Sequence, residues 1–193
     1  MSIGDGRGEL ESRHVQGERK GERDAVDVDN GNVWAALVAA ERDVVELQAS
    51  IRRSADRRDM LALALDVRAS AWDQRSAMNY LRWFPSDIGT VVPSLFLLAM
   101  GGKWEGLARN VLSLGRRDEV GPEVSRLAID YLPTMDPQDY LQLASLLAAL
   151  DAGEALGELL ADARRSDVPD VRNAGVSIED RYRHLISSGR NIW

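Results

Sequence analysis

The chain has 193 residues, 45% of them apolar, and carries a net charge of −7 from 24 basic and 31 acidic residues. This acidic balance disfavours a general nucleic-acid binder, because such proteins show a basic footprint. The absence of cysteine excludes disulfides, cysteine-ligated metal centres and a cysteine nucleophile.

The N-terminal segment Met1–Asn32 is rich in Gly, Glu, Arg and Asp and has almost no large apolar residues. Such a segment cannot bury enough apolar surface to offset its ordering entropy. We therefore predict a disordered leader, with a tail that orders on a partner as the alternative, and a folded domain over Val33–Trp193. The leader lacks the apolar core of a secretory signal, and no stretch approaches the ~20 apolar residues that span a bilayer. We expect a cytoplasmic protein without membrane association.

Helical periodicity begins at Val33 and continues without Gly or Pro to Arg53. Ser54 then favours the start of a second helix, predicted over Asp56–Ala69. The junction between the two helices is basic. It is a candidate patch for an acidic partner, with a solvated helix junction as the alternative. The patch residues are Arg52, Arg53, Arg57 and Arg58.

A turn is predicted over Ser70–Gln74, with Trp72 packed beneath it, followed by a helix from Arg75 to Phe84 that stops before Pro85. Three arginines recur every seven residues across this region. They would form one basic stripe on a continuous helix, but the predicted turn makes them unrelated surface residues. They are Arg68, Arg75 and Arg82.

The next helix is predicted to start at about Val92, capped by Ser86 or Asp87, and to be the most buried because it is apolar on almost all sides. Another amphipathic helix follows over Lys103–Leu114.

Pro122 favours the start of one later helix, and Asp136-Pro137 favours the start of the next. A loop is predicted over Ser166–Gly175. The later helices are predicted over Glu123–Leu132, Gln138–Leu150, Asp151–Arg165 and Ile178–Ser187.

The chain contains one pattern twice: an apolar-periodic segment, an aromatic residue, a large apolar residue and a proline, then a second apolar segment. Trp83-Phe84-Pro85-Ser86 corresponds to Tyr131-Leu132-Pro133-Thr134, about 48 residues later. This pattern resembles HEAT-like or armadillo-like repeats, whose period is about 40–47 residues. The residues that carry the resemblance are Ala77, Leu81, Phe84, Pro85 and Asp87 in the first copy and Ile129, Leu132, Pro133 and Asp136 in the second.

The resemblance implies an all-α fold of antiparallel helix pairs, about seven to nine helices in all, stacked into a short right-handed α-solenoid. It also implies protein recognition on a concave surface.

No catalytic motif is present. The two histidines, His14 and His184, are too few for a histidine metal site unless carboxylates complete it, and neither a P-loop nor a dinucleotide-binding fingerprint occurs. Paired carboxylates such as Asp118-Glu119 are adjacent, so they point about 100° apart on a helix. We therefore expect no catalytic residues, no cofactor and no metal.

The five tryptophans are expected in the core, except that the terminal Trp193 either docks back or remains available to a partner. The sequence favours a non-catalytic protein-binding module, an adaptor or an inhibitor. One alternative is an immunity-type protein that neutralises a toxin through acidic residues. Another is a carboxylate-based or metal-assisted enzyme. A nucleic-acid binder would require six arginines to converge on one face: Arg52, Arg53, Arg57, Arg58, Arg75 and Arg82.

Overall fold

The computed structural model describes residues 30–132 and 136–187, which form nine α-helices and a 3₁₀ helix without strands. The all-α prediction is therefore confirmed. The leader up to residue 29, the second-copy Pro133-Thr134 and Trp193 lie outside the described residues. The elements are α1 Asn30–Arg53, α2 Arg57–Ala64, α3 Ala71–Trp83, the 3₁₀ helix Pro85–Val91, α4 Val92–Ala99, α5 Glu105–Leu114, α6 Arg117–Tyr131, α7 Pro137–Ala149, α8 Gly153–Arg165 and α9 Pro169–Ser187.

The chain divides into two compact units, Met1–Val44 and Val45–Trp193, so the division falls within α1. The described part of the first unit is the N-terminal portion of α1. Between residues 32 and 44, no side chain is fully buried. Helix α1 begins at Asn30, three residues before the predicted start of helical periodicity at Val33.

The second unit holds the hydrophobic core, which runs as one cluster of buried side chains from Leu61 to Ile178. Helix α7 packs against α8 and α9, and α8 packs against α9. Helix α4 packs against α5 and α6, while the 3₁₀ helix contacts α2, α3 and α5. Further contacts join α3 to α5, α5 to α7 and α6 to α8.

Two helix starts match the prediction. Helix α4 begins at Val92 with Pro93 in its first turn, where its missing N–H has no helical partner to lose. Five of its eight residues are fully buried, as its apolar composition predicts. Helix α7 begins after Asp136, whose carboxylate accepts from the backbone N–H groups of Gln138 and Asp139. Asp139 accepts from the Asp136 N–H in return, which completes a capping box.

Two predictions around residue 70 are wrong. Helix α2 ends at Ala64 rather than at Ala69, and the predicted turn over Ser70–Gln74 is instead the start of α3, with residues 71–74 helical. The reason is Ser70, whose hydroxyl accepts from the Asp73 N–H and so acts as the N-cap of α3. Ser86 and Asp87 do not cap a helix at Val92, because they lie within the 3₁₀ helix.

The predicted roles of two prolines are wrong. Pro122 lies inside α6, which begins at Arg117 instead of Glu123. Pro169 begins α9, so the predicted loop over Ser166–Gly175 is largely helix. Pro169 does not interrupt the hydrogen bonding of α9, since the N–H at the first helical position has no intrahelical acceptor.

Candidate functional site

Helix α3 presents two opposite faces. Its buried face consists of Gln74, Ala77, Met78, Tyr80 and Leu81. Its exposed face carries both tryptophans of the helix, Trp72 at 75% and Trp83 at 74% exposure. The α3 face, as we define it, is Trp72, Arg75, Asn79, Arg82 and Trp83.

These positions follow the spacing i, i+3, i+7, i+10 and i+11, which places them on one side of an α-helix. The two tryptophans lie about 16 Å apart along the axis at 1.5 Å per residue. Arg75 and Arg82 lie between them, both exposed. None of the ion pairs among the described residues involves either arginine. The α3 face therefore combines two large apolar side chains with two uncompensated positive charges.

The predicted basic patch divides into two pairs. Arg57 contacts Asp87, with 3.2 Å between Nε and Oδ2, and also donates to the Arg52 carbonyl. Arg52 places its guanidinium 5.3 Å from the centre of the Phe84 ring. Arg53 and Arg58 are exposed. The remaining partner-binding candidate, Trp193, lies outside the described residues.

Asp87 is the buried centre of this junction. Its Oδ2 accepts from the Tyr80 hydroxyl at 3.0 Å as well as pairing with Arg57. Burial raises the pKa of Tyr80 to about 12, and the hydrogen bond to Asp87 adds to this shift. Tyr80 therefore stays protonated at neutral pH and donates to the carboxylate. The arrangement fixes the 3₁₀ helix against α2 and α3.

Arg109 of α5 is a second polar junction. Its side chain is only 12% exposed and lies 2.8 Å from Glu105. It donates to the Ala99 carbonyl at 3.0 Å and to the Ser145 hydroxyl at 2.7 Å. It also reaches both oxygens of Gln142. Arg109 thus ties α5 to the end of α4 and to α7. Its sequence context gives no sign of this role.

Three of the tryptophans expected in the core are exposed instead. Trp34 is 67% exposed, and Trp72 is not packed beneath a turn. Trp104 is partly buried and donates through its indole nitrogen to Gln74 Oε1. The heptad spacing of Arg75 and Arg82, read together with Ser70 as an N-cap, was the signal that could have identified the α3 face.

A cleft of about 390 Å³ lies between the start of α7 and α9. It offers two carboxylates, Asp136 and Asp170, with Asn173 and Ser177 nearby. Asp136 already serves as the α7 cap. In 30–132 and 136–187, no three His, Asp or Glu side chains are grouped closely enough to hold a metal ion. His184 is exposed on α9, and His14 lies outside the described residues.

None of the described helices has the length and apolar character needed to cross a bilayer. No protein-family model, curated protein sequence or solved structure matches this chain.

Proposed function

We propose that the protein is a non-catalytic protein-binding module, an adaptor or an inhibitor, and that it binds its partner through the α3 face. The observation that carries this proposal is the pairing of two exposed tryptophans with two uncompensated arginines on one side of one helix. Tryptophan and arginine are the residues most enriched at the energetic centres of protein interfaces. Tryptophans left in water lose the stabilisation that their large apolar surface gains on burial.

The chemistry of the α3 face defines the partner. Trp72 and Trp83 require two apolar pockets about 16 Å apart, and Arg75 and Arg82 favour carboxylates between those pockets. The partner is therefore an acidic protein surface with apolar grooves. Tryptophan and arginine also stack on nucleic-acid bases, but the net charge of −7 opposes the approach of a phosphate backbone.

The proposed architecture is a short HEAT-like stack. It is supported by the order of helix contacts, in which α3 meets α5, α4 meets α6, α5 meets α7, α6 meets α8 and α7 meets α9. Contacts between helices two apart are what stacked helix pairs produce.

The charge of the α3 face also separates the adaptor from the immunity-type inhibitor. An inhibitor of a basic toxin requires an acidic binding face, whereas Arg75 and Arg82 give this face a positive charge. The two functions therefore differ in which charge reversals abolish binding.

The experiment is affinity co-purification from the native host with four baits: the full chain, a chain lacking Met1–Asn32, W72A/W83A, and R75E/R82E. Ile129→Ala serves as the matched control, because Ile129 is a large apolar side chain on α6 and 53% exposed. We expect one stoichiometric protein with the full chain, the truncated chain and the control. Both α3 variants should lower its recovery at least tenfold, with circular dichroism verifying that they fold.

Three results would contradict the proposal. These are a partner retained by both α3 variants, a partner that requires Met1–Asn32, or nuclease-sensitive recovery that identifies nucleic acid as the ligand. Binding lost only when acidic residues are reversed would instead support the immunity-type function.

A further inference from the structure

Helix α1 exposes apolar side chains along most of its length. Val33 is 54%, Leu37 47%, Val44 49% and Leu47 64% exposed. The helix has 24 residues and is therefore about 36 Å long. Helices in proteins owe most of their stability to packing of the amphipathic face. An uncovered face of this length requires an occupant.

The spacing of these residues identifies the occupant. The apolar positions alternate in steps of four and three, which is the heptad pattern of a coiled-coil seam. Leu37 and Val44 take the a positions, and the d positions are Val33, Ala40 and Leu47. We propose that α1 pairs in parallel with α1 of a second copy of this chain, through the α1 seam: Val33, Leu37, Ala40, Val44 and Leu47.

Residue type and charge favour the parallel, two-stranded arrangement. A β-branched residue at a followed by leucine at d, as in Val44 and Leu47, is typical of parallel dimers. The positions beside the seam include Glu41 and Asp43. In the parallel pair, these acids face Ala36 and Gln48 of the second copy. In an antiparallel pair of full overlap, each acid meets its own counterpart, and like charges repel.

The exposed area is sufficient for association. A fully exposed aliphatic side chain presents about 100 Å² and a tryptophan about 200 Å². With the exposed fractions above and Trp34 beside the seam at 67%, each copy offers roughly 350 Å² of apolar side chain. Since interfaces are a little over half apolar, this corresponds to about 1,200 Å² in total, the lower limit for a specific stable interface. The α1 seam therefore reaches the size of a small specific interface.

The α1 seam and the α3 face share no residue, so dimerisation and partner binding can be tested separately. W72A/W83A should leave dimerisation unchanged, and seam variants should not abolish a partner's recognition of the α3 face.

The first test is sedimentation equilibrium of the full chain between 1 and 200 μM. We expect a monomer–dimer equilibrium that Leu37→Glu weakens at least tenfold. Ala39→Glu introduces the same charge on the opposite side of α1 and is the matched control, which should leave the equilibrium unchanged. A chain that is monomeric up to 200 μM, or a dimer equally stable with Leu37→Glu, would overturn the proposal. Exposure of Leu37 and Ala39 means that both variants should fold, which circular dichroism verifies.

The second test reads the orientation, and it exploits the absence of cysteine in the chain. Ala40→Cys places a single thiol at a d position, where a parallel pair brings the two sulfurs together. Under mild oxidation, this variant should form a covalent dimer at least ten times faster than Ala39→Cys. Equal rates in a chain that dimerises would refute the parallel seam.

Discussion

Asp87 illustrates how a buried charge fixes local structure. It is only 6% exposed, the one fully buried charged residue among those that the structure describes. Replacing it with alanine leaves the buried Tyr80 hydroxyl without its acceptor and removes the ion pair with Arg57, which keeps its bond to the Arg52 carbonyl. We expect Asp87→Ala to lower the free energy of unfolding by about 2–4 kcal/mol, measured by urea denaturation at pH 7.

Asp118→Ala is the control for this change, since Asp118 pairs with Arg116 at the surface. Exposed ion pairs contribute little to stability, so no resolvable loss is expected. Equal losses for the two variants would show that Asp87 has no special role in the junction.

The buried tyrosines predict how stability responds to alkaline pH. Burial and a carboxylate acceptor raise the pKa of both Tyr80 and Tyr140 to about 12, against 10 in the unfolded chain. Their contribution is fully present below pH 10 and is lost as the pH rises towards 12, because the unfolded chain loses its phenolic protons first. A two-unit shift corresponds to roughly 2–3 kcal/mol per tyrosine.

Urea denaturation at intervals between pH 8 and 11.5 measures this loss. Tyr140→Phe, which removes the hydroxyl bonded to Asp162, should unfold with a shallower pH dependence than the natural chain. Parallel pH profiles for the two proteins would contradict the assignment of this loss to Tyr140.

At the residue scale, the sequence identifies the cap of α7 but misses the cap of α3 and the exposure of the tryptophans. The Asp136-Pro137 start of α7 follows from local chemistry and is confirmed. The exposure of Trp72 and Trp83 could not be predicted in the same way, because a tryptophan's surroundings depend on which face of its helix meets the core. Once Ser70 is taken as the cap of α3, the spacing alone places Arg75 and Arg82 beside the two tryptophans.

At the element scale, two glycines predict opposite effects of the same substitution. A Cβ at Gly115, which ends α5, would lie 2.5 Å from Val120 and 2.8 Å from Ile88, both buried. Gly115→Ala should therefore lower the free energy of unfolding by about 1–3 kcal/mol. Gly157 lies inside α8 with nothing within 4 Å of an added Cβ. There, alanine should stabilise by about 0.5–1 kcal/mol through its helix propensity.

Thermal unfolding followed by circular dichroism separates the two glycine variants, since 1 kcal/mol shifts the midpoint by about 2–4 °C in a domain of this size. If both midpoints moved in the same direction, the side chains of Val120 and Ile88 would have to shift away from a Cβ at position 115 with little loss of stability.

Arg109 predicts a large effect of a single arginine on helix packing. Arg109→Ala removes the hydrogen bonds that join α5 to Ala99 and to Ser145 and Gln142 of α7. Because the side chain is nearly buried, we expect a loss of about 2–4 kcal/mol in the free energy of unfolding. Arg126→Ala, which removes an exposed arginine paired with Glu123 and Asp130, should cause no resolvable change under the same urea denaturation. Comparable losses would contradict the role assigned to Arg109.

Helix bounds were predictable where composition changed abruptly and at Asp136-Pro137, but the predictions failed at Pro122 and Pro169. The apolar run after Val91 fixes α4, and the glycine at 115 ends α5 as predicted. Pro122 and Pro169 suggested a start and a break, yet one lies inside α6 and the other begins α9. Val120, just before Pro122, and Val171, just after Pro169, are both buried. Such tertiary contacts override local propensity.

At the scale of the whole molecule, the buried core runs from Leu61 to Ile178 and includes no residue of the first unit. A chain that starts at Val45 should therefore keep one cooperative unfolding transition. The slope of the unfolding free energy against urea concentration should also be nearly unchanged, because it follows the surface exposed on unfolding. We expect its free energy of unfolding to lie within about 1 kcal/mol of that of the full chain carrying Leu37→Glu, the variant in which dimerisation is weakened and contributes least.

The matched control for this truncation removes fewer residues from the other end. A chain that stops before Pro169 loses 25 residues, but these include the buried Val171, Ala174 and Ile178. It should lose cooperative unfolding, because α7 and α8 would each expose the surface that α9 covers. If the longer N-terminal truncation proved the more damaging, the first 44 residues would have to stabilise the core, and the exposed side of α1 would need a function within the monomer. If the C-terminal truncation alone unfolds the chain, the first unit is free to serve association between copies.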